Sequence, residues 1–317
     1  MSRYIFLITG FFIGLLHTMY AQQDPMFTRY MLVSDMAVNP SAAAKDGKLK
    51  GMVFYRKQWS GLNGSPETMG FSAELPLESV SSGIGVNIMY DKIGFEKHTS
   101  MYLNYAYRIP LTQSITLSAG IKGGVSLFNA NLTDAITPDP SQTDPVYSSV
   151  MSSVVPRAGA GLFLYSQNTY LGLSIPYIFA SIPGQGFSFI DDGIFLSRHY
   201  YLTAGHVFSL GQSGIQLKPS IFIRYHKAAP VQVDFSGSMW YKDIFGFGLT
   251  YRTGDALAAM VDIALSSNIV LSYAYDYTVS DFRSIGRAAH EIILIYQWQK
   301  TPVAVPSIHK FPVLQRF

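Results

Sequence analysis

Seven histidines and 20 acidic residues are spread through the 317-residue chain, and their spacing assembles no recognisable reaction centre. None of the histidines sits in an H-E-x-x-H metal pattern, and no G-x-S-x-G elbow, Walker-type phosphate loop or G-x-G-x-x-G fingerprint occurs. His290-Glu291 is the one adjacent acid–base pair of interest. It opens an extended segment, where neighbouring side chains point to opposite faces, so the two cannot share a site. Asp134, Asp139 and Asp144 lie among Pro, Ser and Thr in residues 128–154. Oxygen-rich loops can hold calcium, but this spacing matches no EF-hand, and the stretch reads as a solvated surface loop. A hydrolase embedded in a barrel would need Ser and His on one strand face near a rim, a condition so many serines satisfy too loosely to carry weight. Gly83-Ile84-Gly85 and Gly246-Phe247-Gly248 read as strand glycines at kinks or close contacts. Cysteine is absent, which removes disulfides, thiolate metal sites and a lipid-bearing cysteine. The residues therefore point to a protein that is not an enzyme and carries no cofactor or metal.

The elements around these residues are strands. Ile115, Leu117, Ala119, Ile121, Gly123, Val125 and Leu127 share one parity, against Thr116, Ser118, Gly120, Lys122, Gly124 and Ser126. Alternate residues of a strand face opposite sides, so one face is apolar and the other polar. The run is long enough for a tilted strand that crosses a bilayer. The pattern recurs to the end of the chain and predicts fourteen strands. They fall near residues 48–59, 67–76, 83–91, 98–110, 114–127, 155–165, 169–178, 198–210, 214–226, 230–241, 244–252, 255–265, 268–279 and 288–299. The even-numbered junctions are mostly short, while several odd-numbered ones are long, notably residues 60–66, 128–154, 179–197 and 280–287, though the odd ones near Ala228-Ala229 and Gly254 are short. Short turns on one side and long loops on the other are the habit of outer-membrane barrels. Charged residues make up only 14% of the chain and aromatics another 14%, which suits lipid-facing walls with aromatic girdles. The fold expected is all-β: a transmembrane antiparallel β-barrel of about 14 strands, with lipid outside, a polar lumen inside and a short non-strand N-terminal segment. That lumen would gather Lys122, Lys218, Arg224, Asp234, Asp262 and Asp276, whose mixed signs favour a paired interior over one tuned for one ion. Pro219 cannot donate to a ladder and predicts a bulge or distorted pairing. A net charge of +3 and the lack of a basic run exclude nucleic acid as a partner.

Residues 1–21 have the make-up of a cleaved signal peptide: Arg3, an apolar core from Ile5 to Leu16, and Met19-Tyr20-Ala21 before Gln22. Residues 22–46 do not alternate and carry Met and aromatic side chains between the turn signals Asp24-Pro25 and Asn39-Pro40. They are expected to pack under or inside the periplasmic mouth as a plug-like or partner-docking segment. Residues 47–300 would form the barrel and residues 301–317 a periplasmic tail.

Several segments also resemble one known family. Gln22-Gln23-Asp24-Pro25-Met26-Phe27-Thr28-Arg29-Tyr30 is similar to the opening of the PorP/SprF proteins of the Bacteroidetes outer membrane, and Asn39-Pro40-Ser41-Ala42 to their Asn-Pro-small element. Tyr55-Arg56-Lys57-Gln58-Trp59-Ser60-Gly61 resembles their YRxQW-x-G block, and Gly64-Ser65-Pro66-Glu67-Thr68 their G-x-P-x-T. Asp91-Lys92-Ile93-Gly94, Tyr105-Ala106-Tyr107-Arg108-Ile109, Tyr275-Asp276-Tyr277 and Ala289-His290-Glu291-Ile292 follow in family order, with Ala289 where Ser is usual. The resemblance implies a barrel of the type IX secretion and gliding apparatus, without catalytic activity. It would assist export or surface anchoring of particular cargo, such as large adhesins. Its implied partners are outer-membrane lipid, that cargo, and periplasmic ring or translocon components. The family-motif residues that would serve structure or partner binding are Asp24, Pro25, Tyr30, Asn39, Pro40, Tyr55, Arg56, Gln58, Trp59, Asp276, His290 and Glu291. Trp59 and Tyr55 also suit an aromatic girdle, and Arg56 a lumen carboxylate. The residues alone also admit a passive or substrate-selective channel, which a wide, wet lumen would require.

Overall fold

Alternation of apolar and small polar side chains drives most of the chain into long strands. The computed structural model describes residues 29–131, 150–182, 186–189, 198–227, 229–284, 286 and 288–298. Sixteen strands occur among the described residues. The first eight are β1 (Leu49–Lys57), β2 (Glu67–Leu77), β3 (Ser82–Ile93), β4 (Glu96–Pro110), β5 (Thr116–Asn131), β6 (Val150–Tyr165), β7 (Thr169–Ile182) and β8 (Gly186–Phe189). The others are β9 (Tyr200–His206), β10 (Phe208–Ser209), β11 (Ile215–His226), β12 (Ala229–Tyr241), β13 (Phe245–Arg252), β14 (Ala256–Ala264), β15 (Ile269–Thr278) and β16 (Ala288–Trp298). β1 to β8 pair antiparallel in chain order, as do β10 to β16; β1 pairs with β16, and β9 joins β7 to β11, so the sheet closes on itself. β8 only extends β7 beyond the wall, and β9 with β10 makes one stave interrupted at Val207, which leaves fourteen staves. No helix among the described residues is long and apolar enough to cross a membrane; the crossing elements are strands.

The outward faces carry a continuous belt of large apolar side chains, among them Leu103, Ile121, Leu173, Leu249, Tyr273 and Leu294, all exposed on the isolated barrel. Lipid covers such a belt at no cost in unsatisfied backbone, because a closed sheet has no edge. The lumen residues expected from alternation do face inward: Lys122, Lys218, Asp234, Asp262 and Asp276 are buried. Strand ends differ from the sequence expectation at two places. β5 and β6 run on to Asn131 and from Val150, pairing residue for residue along their whole length, so the connecting segment is shorter than residues 128–154. Asp134, Asp139 and Asp144 lie outside the described residues, as do residues 1–21, Asp24, Pro25 and residues 301–317.

Pro219 departs from expectation in an instructive way. It pairs in register with Gly237 of β12, and the irregularity in that ladder comes later, between Arg224 and His226. On its other side β9 pairs β11 only from Ser220 onward and β10 only up to Leu217. The missing N–H of Pro219 therefore sits opposite the break at Val207, and the distortion is carried by the neighbouring stave.

Candidate functional site: the filled lumen

A fourteen-stave barrel is too wide to be filled by its own inward side chains and too narrow for a large open channel. Here the chain fills it with its own N-terminal region. Two short helices, Arg29–Val33 and Asp35–Val38, and a 3-10 turn, Pro40–Ala42, lie inside the wall, with Arg29, Tyr30, Met36, Val38, Asn39, Pro40 and Ser41 buried. Most of their contacts fall in the half of the lumen nearest the short turns, and Tyr30 reaches Glu291 in the other half.

The segment is held by apolar packing and by hydrogen bonds. Tyr30 and Val33 pack with Met52 and Phe54 of β1 and Ile293 and Ile295 of β16, and the Tyr30 ring stacks on Phe54 at 4.2 Å. Ala42 joins a second cluster with Phe163, Tyr165, Tyr170, Val207 and Trp240. The lumen, expected to be polar, thus also holds an apolar core where plug meets wall. Burying one such side chain contributes roughly 1.5–3 kcal/mol, so the packing is a major source of plug stability. The lumen glycines matter because the plug backbone touches them. A Cβ on Gly120 would collide with the backbone of Ser41, and one on Gly161 with the Asn39 side chain; Gly83 and Gly85 meet Ala43 and Met36 in the same way.

Asn39 is the pivot of the turn. Its amide donates to the carbonyls of Leu162 at 3.0 Å and Leu173 at 3.1 Å, and its Oδ1 accepts the N–H of Ser41 at 3.1 Å. Pro40 begins the 3-10 turn, where its missing N–H costs nothing. The hydroxyls of Ser118 and Ser174 donate to the carbonyls of Ser41 and Val38, each at 2.6 Å. Glu74 accepts the N–H of Ala44 at 2.8 Å, and Arg108 donates to the carbonyls of Ala43 and Ala44. Asn39→Ala would strand several of these buried groups, at a cost of about 1–3 kcal/mol. The expected result is faster hydrogen exchange at the amides of Ser41, Ala42 and Ala43, with the strand amides unchanged.

On the short-turn side Arg29 grips the Asp262 carboxylate with Nε at 2.8 Å and Nη2 at 2.7 Å. Charge also organises the long-loop half. Glu291 accepts the Tyr30 N–H on one oxygen and Arg56 Nη1 at 3.0 Å on the other. Arg56 Nη2 reaches Asp276 at 2.9 Å, and Asp276 lies 3.6 Å from Arg252. Arg252 continues to Asp234 at 3.3 Å, which also takes Arg224 at 2.8 Å. The result is a ladder of alternating sign across β16, β1, β15, β13, β12 and β11, joined to the plug at Tyr30.

The motif residues thus divide by face. Tyr30, Asn39, Pro40, Arg56, Asp276 and Glu291 meet in the lumen as plug and plug support. Tyr55 and His290 point outward, His290 accepting or donating with the Tyr273 hydroxyl at 2.7 Å, so His290 and Glu291 lie on opposite faces. Gln58 and Trp59 leave the end of β1: the Gln58 N–H bonds Pro66, and Trp59 takes a left-handed backbone and packs on Gly286. Met52, Phe54, Ile293 and Ile295 were missed as plug contacts. Their signal was available, since β1 and β16 are apolar on both faces, as a strand buried on both sides must be. Among the described residues no three His, Asp or Glu side chains cluster as a metal site. Two of the spaces between plug and wall measure about 80 Å³, beside Tyr30, Tyr102 and Tyr177, and about 20 Å³, beside Leu32 and Tyr170.

A closed, lipid-belted antiparallel barrel with short turns at one rim and a chain-internal filling is an integral outer-membrane protein. The model of the type IX secretion system membrane protein PorP/SprF matches residues 19–296, and the chain belongs to that family. No curated protein matches the sequence. Among solved structures it is similar to the CymD monoaromatic hydrocarbon channel, at 12% identity and a TM-score of 0.54, over 85% of this chain and 93% of that one. The outer-membrane protein Omp33 of Acinetobacter baumannii matches at 7% identity and 0.47, over 80% and 100%. The P. putida toluene transporter TodX matches at 10% and 0.45, over 83% and 93%. At such identities the likeness to CymD shows the barrel fold alone.

Proposed function

We propose that this barrel conducts no solute and catalyses no reaction, and that it assists export of particular type IX cargo or holds that cargo at the cell surface. Residues 1–21 serve as the cleaved signal peptide and residues 22–46 as the plug. The short-turn rim faces the periplasm, as short turns do in outer-membrane barrels, and the long-loop rim faces the exterior. The observation that carries this reading is the filled lumen. An ion path needs a continuous wet lumen, whereas residues 29–46 occupy the short-turn half with buried apolar packing. The work of such a barrel is then done at its rims and outer wall, by binding.

The test is purification of the barrel in mild detergent from its native outer membrane, followed by mass spectrometry of what accompanies it. A large secreted adhesin, or ring or translocon components, is the expected companion. A solitary barrel that conducts steadily in a planar bilayer would overturn the reading in favour of a channel.

A further inference from the structure

The outer wall carries a recess across the adjoining strands β5 and β6. Many outward positions of the barrel carry Leu, Ile, Phe or Tyr, but here they include Ala119 and Ala160. Ala119 pairs with Leu162, and Ala160 stands between Ile121 and Ile175. The two alanines form the floor of an external groove of about 690 Å³, rimmed by Tyr105, Ile121, Leu162, Leu173 and Tyr200. That volume lies within the roughly 300–1,000 Å³ of ordinary small-molecule sites.

Two irregularities of the wall adjoin it. The β6–β7 register slips between Ala158 and Ala160: Ala158 pairs with Phe179 but Ala160 with Ile175, so Gly159 alone faces the three residues Pro176, Tyr177 and Ile178. Beside the slip stands β9, part of the stave interrupted at Val207. On the inner side of the same place, Gly120 and Gly161 admit the Pro40–Ser41 turn and Asn39. The wall is therefore one backbone thick between plug and groove, with glycine inside and alanine outside.

We propose that this groove is a binding site for one acyl chain of an outer-membrane lipid. The occupant follows from where the groove lies. It is continuous with the lipid-facing belt, its rim residues Ile121, Leu162 and Leu173 are 62%, 50% and 50% exposed on the isolated barrel, and its surface is almost wholly apolar. A flexible hydrocarbon chain fills a long apolar recess, whereas a neighbouring wall of rigid side chains would leave it partly empty.

The test uses the full-length barrel, extracted in mild detergent and weighed by native mass spectrometry. The wild type is expected to retain one lipid per barrel. The double variant Ala119→Leu with Ala160→Leu, which gives the groove the side chains used elsewhere on the wall, is expected to lose most of it. Heat-modifiable gel migration confirms that the variant is folded. A photoreactive residue replacing Ile121 should form lipid adducts in the membrane, and one replacing Leu249 on another part of the wall should form far fewer. Equal lipid retention by wild type and double variant, or adducts at 121 that are protein and not lipid, would overturn the assignment. Neither result depends on whether the barrel carries cargo, so the proposed function stands or falls separately.

Discussion

Arg56→Ala is expected to destabilise the barrel by about 3–5 kcal/mol, the cost of removing one partner of a buried ion pair and leaving the other charge behind. Arg56 is 2% exposed and is shared between Asp276 and Glu291, which are themselves buried. Its loss takes the nearer cation from two buried carboxylates, leaving Asp276 the longer contact to Arg252 at 3.6 Å, and Glu291 is also the acceptor for the Tyr30 N–H that ties plug to wall. Urea unfolding in detergent, followed by intrinsic fluorescence, should show the midpoint falling well below that of the wild type. Lys57→Ala is the matching control. Lys57 pairs with Glu67 at 2.7 Å, but the two side chains are 40% and 34% exposed, and such a pair contributes about 0–1 kcal/mol. Replacing Arg56, Asp276 and Glu291 together by Met, Asn and Gln should recover much of the loss, since the penalty comes from unpaired charge. If Arg56→Ala and Lys57→Ala unfold alike, the ladder is solvated and the long-loop half of the lumen is wet.

Strands were legible in this sequence because a lipid-facing wall imposes the same alternation on every stave. β15 shows it cleanly: Leu271, Tyr273, Tyr275 and Tyr277 outward, Ser272, Ala274, Asp276 and Thr278 inward. The inward set of charges was legible for the same reason. Their partners were not, because pairing depends on which staves are adjacent and on shear; Arg56 and Asp276 are 220 residues apart and meet only because β15, β16 and β1 close the barrel. The apolar core at the short-turn end was hidden by a habit of reading one face per strand. Met52 and Phe54, alternating with Val53 and Tyr55, show that both faces of β1 are covered, by lipid on one side and plug on the other. Gly83 and Gly85 were legible as close contacts but not as contacts to the plug, since nothing local tells Gly120, which meets Ser41, from Gly124 on the same face, which meets Met101 and Tyr102.

Gly120→Val is expected to change what the barrel does in a bilayer. The residue lies on the lumen face, and a branched side chain there meets the backbone of Ser41 and Pro40, which cannot rotate away as a flexible side chain would. Overpacking of this kind costs typically about 1–3 kcal/mol, enough to matter for a short plug but not for a wall held by fourteen paired staves. The strain should therefore be relieved by moving the turn. Displacing it breaks the bond from Ser118 to Ser41 and loosens Asn39 from Leu162 and Leu173. The wild type should remain closed in planar-bilayer recordings, whereas Gly120→Val should open in bursts as the plug leaves its seat. Gly123→Val, on the outer face of the same strand where an added Cβ meets nothing within 4 Å, should stay closed. Bursts in Gly120→Val but not in Gly123→Val would establish that the plug, rather than the wall, is what keeps solutes out. Silence in both, with Gly120→Val migrating as a folded barrel, would mean that residues 29–46 can shift without opening a path, and that closure belongs to the ionic half of the lumen.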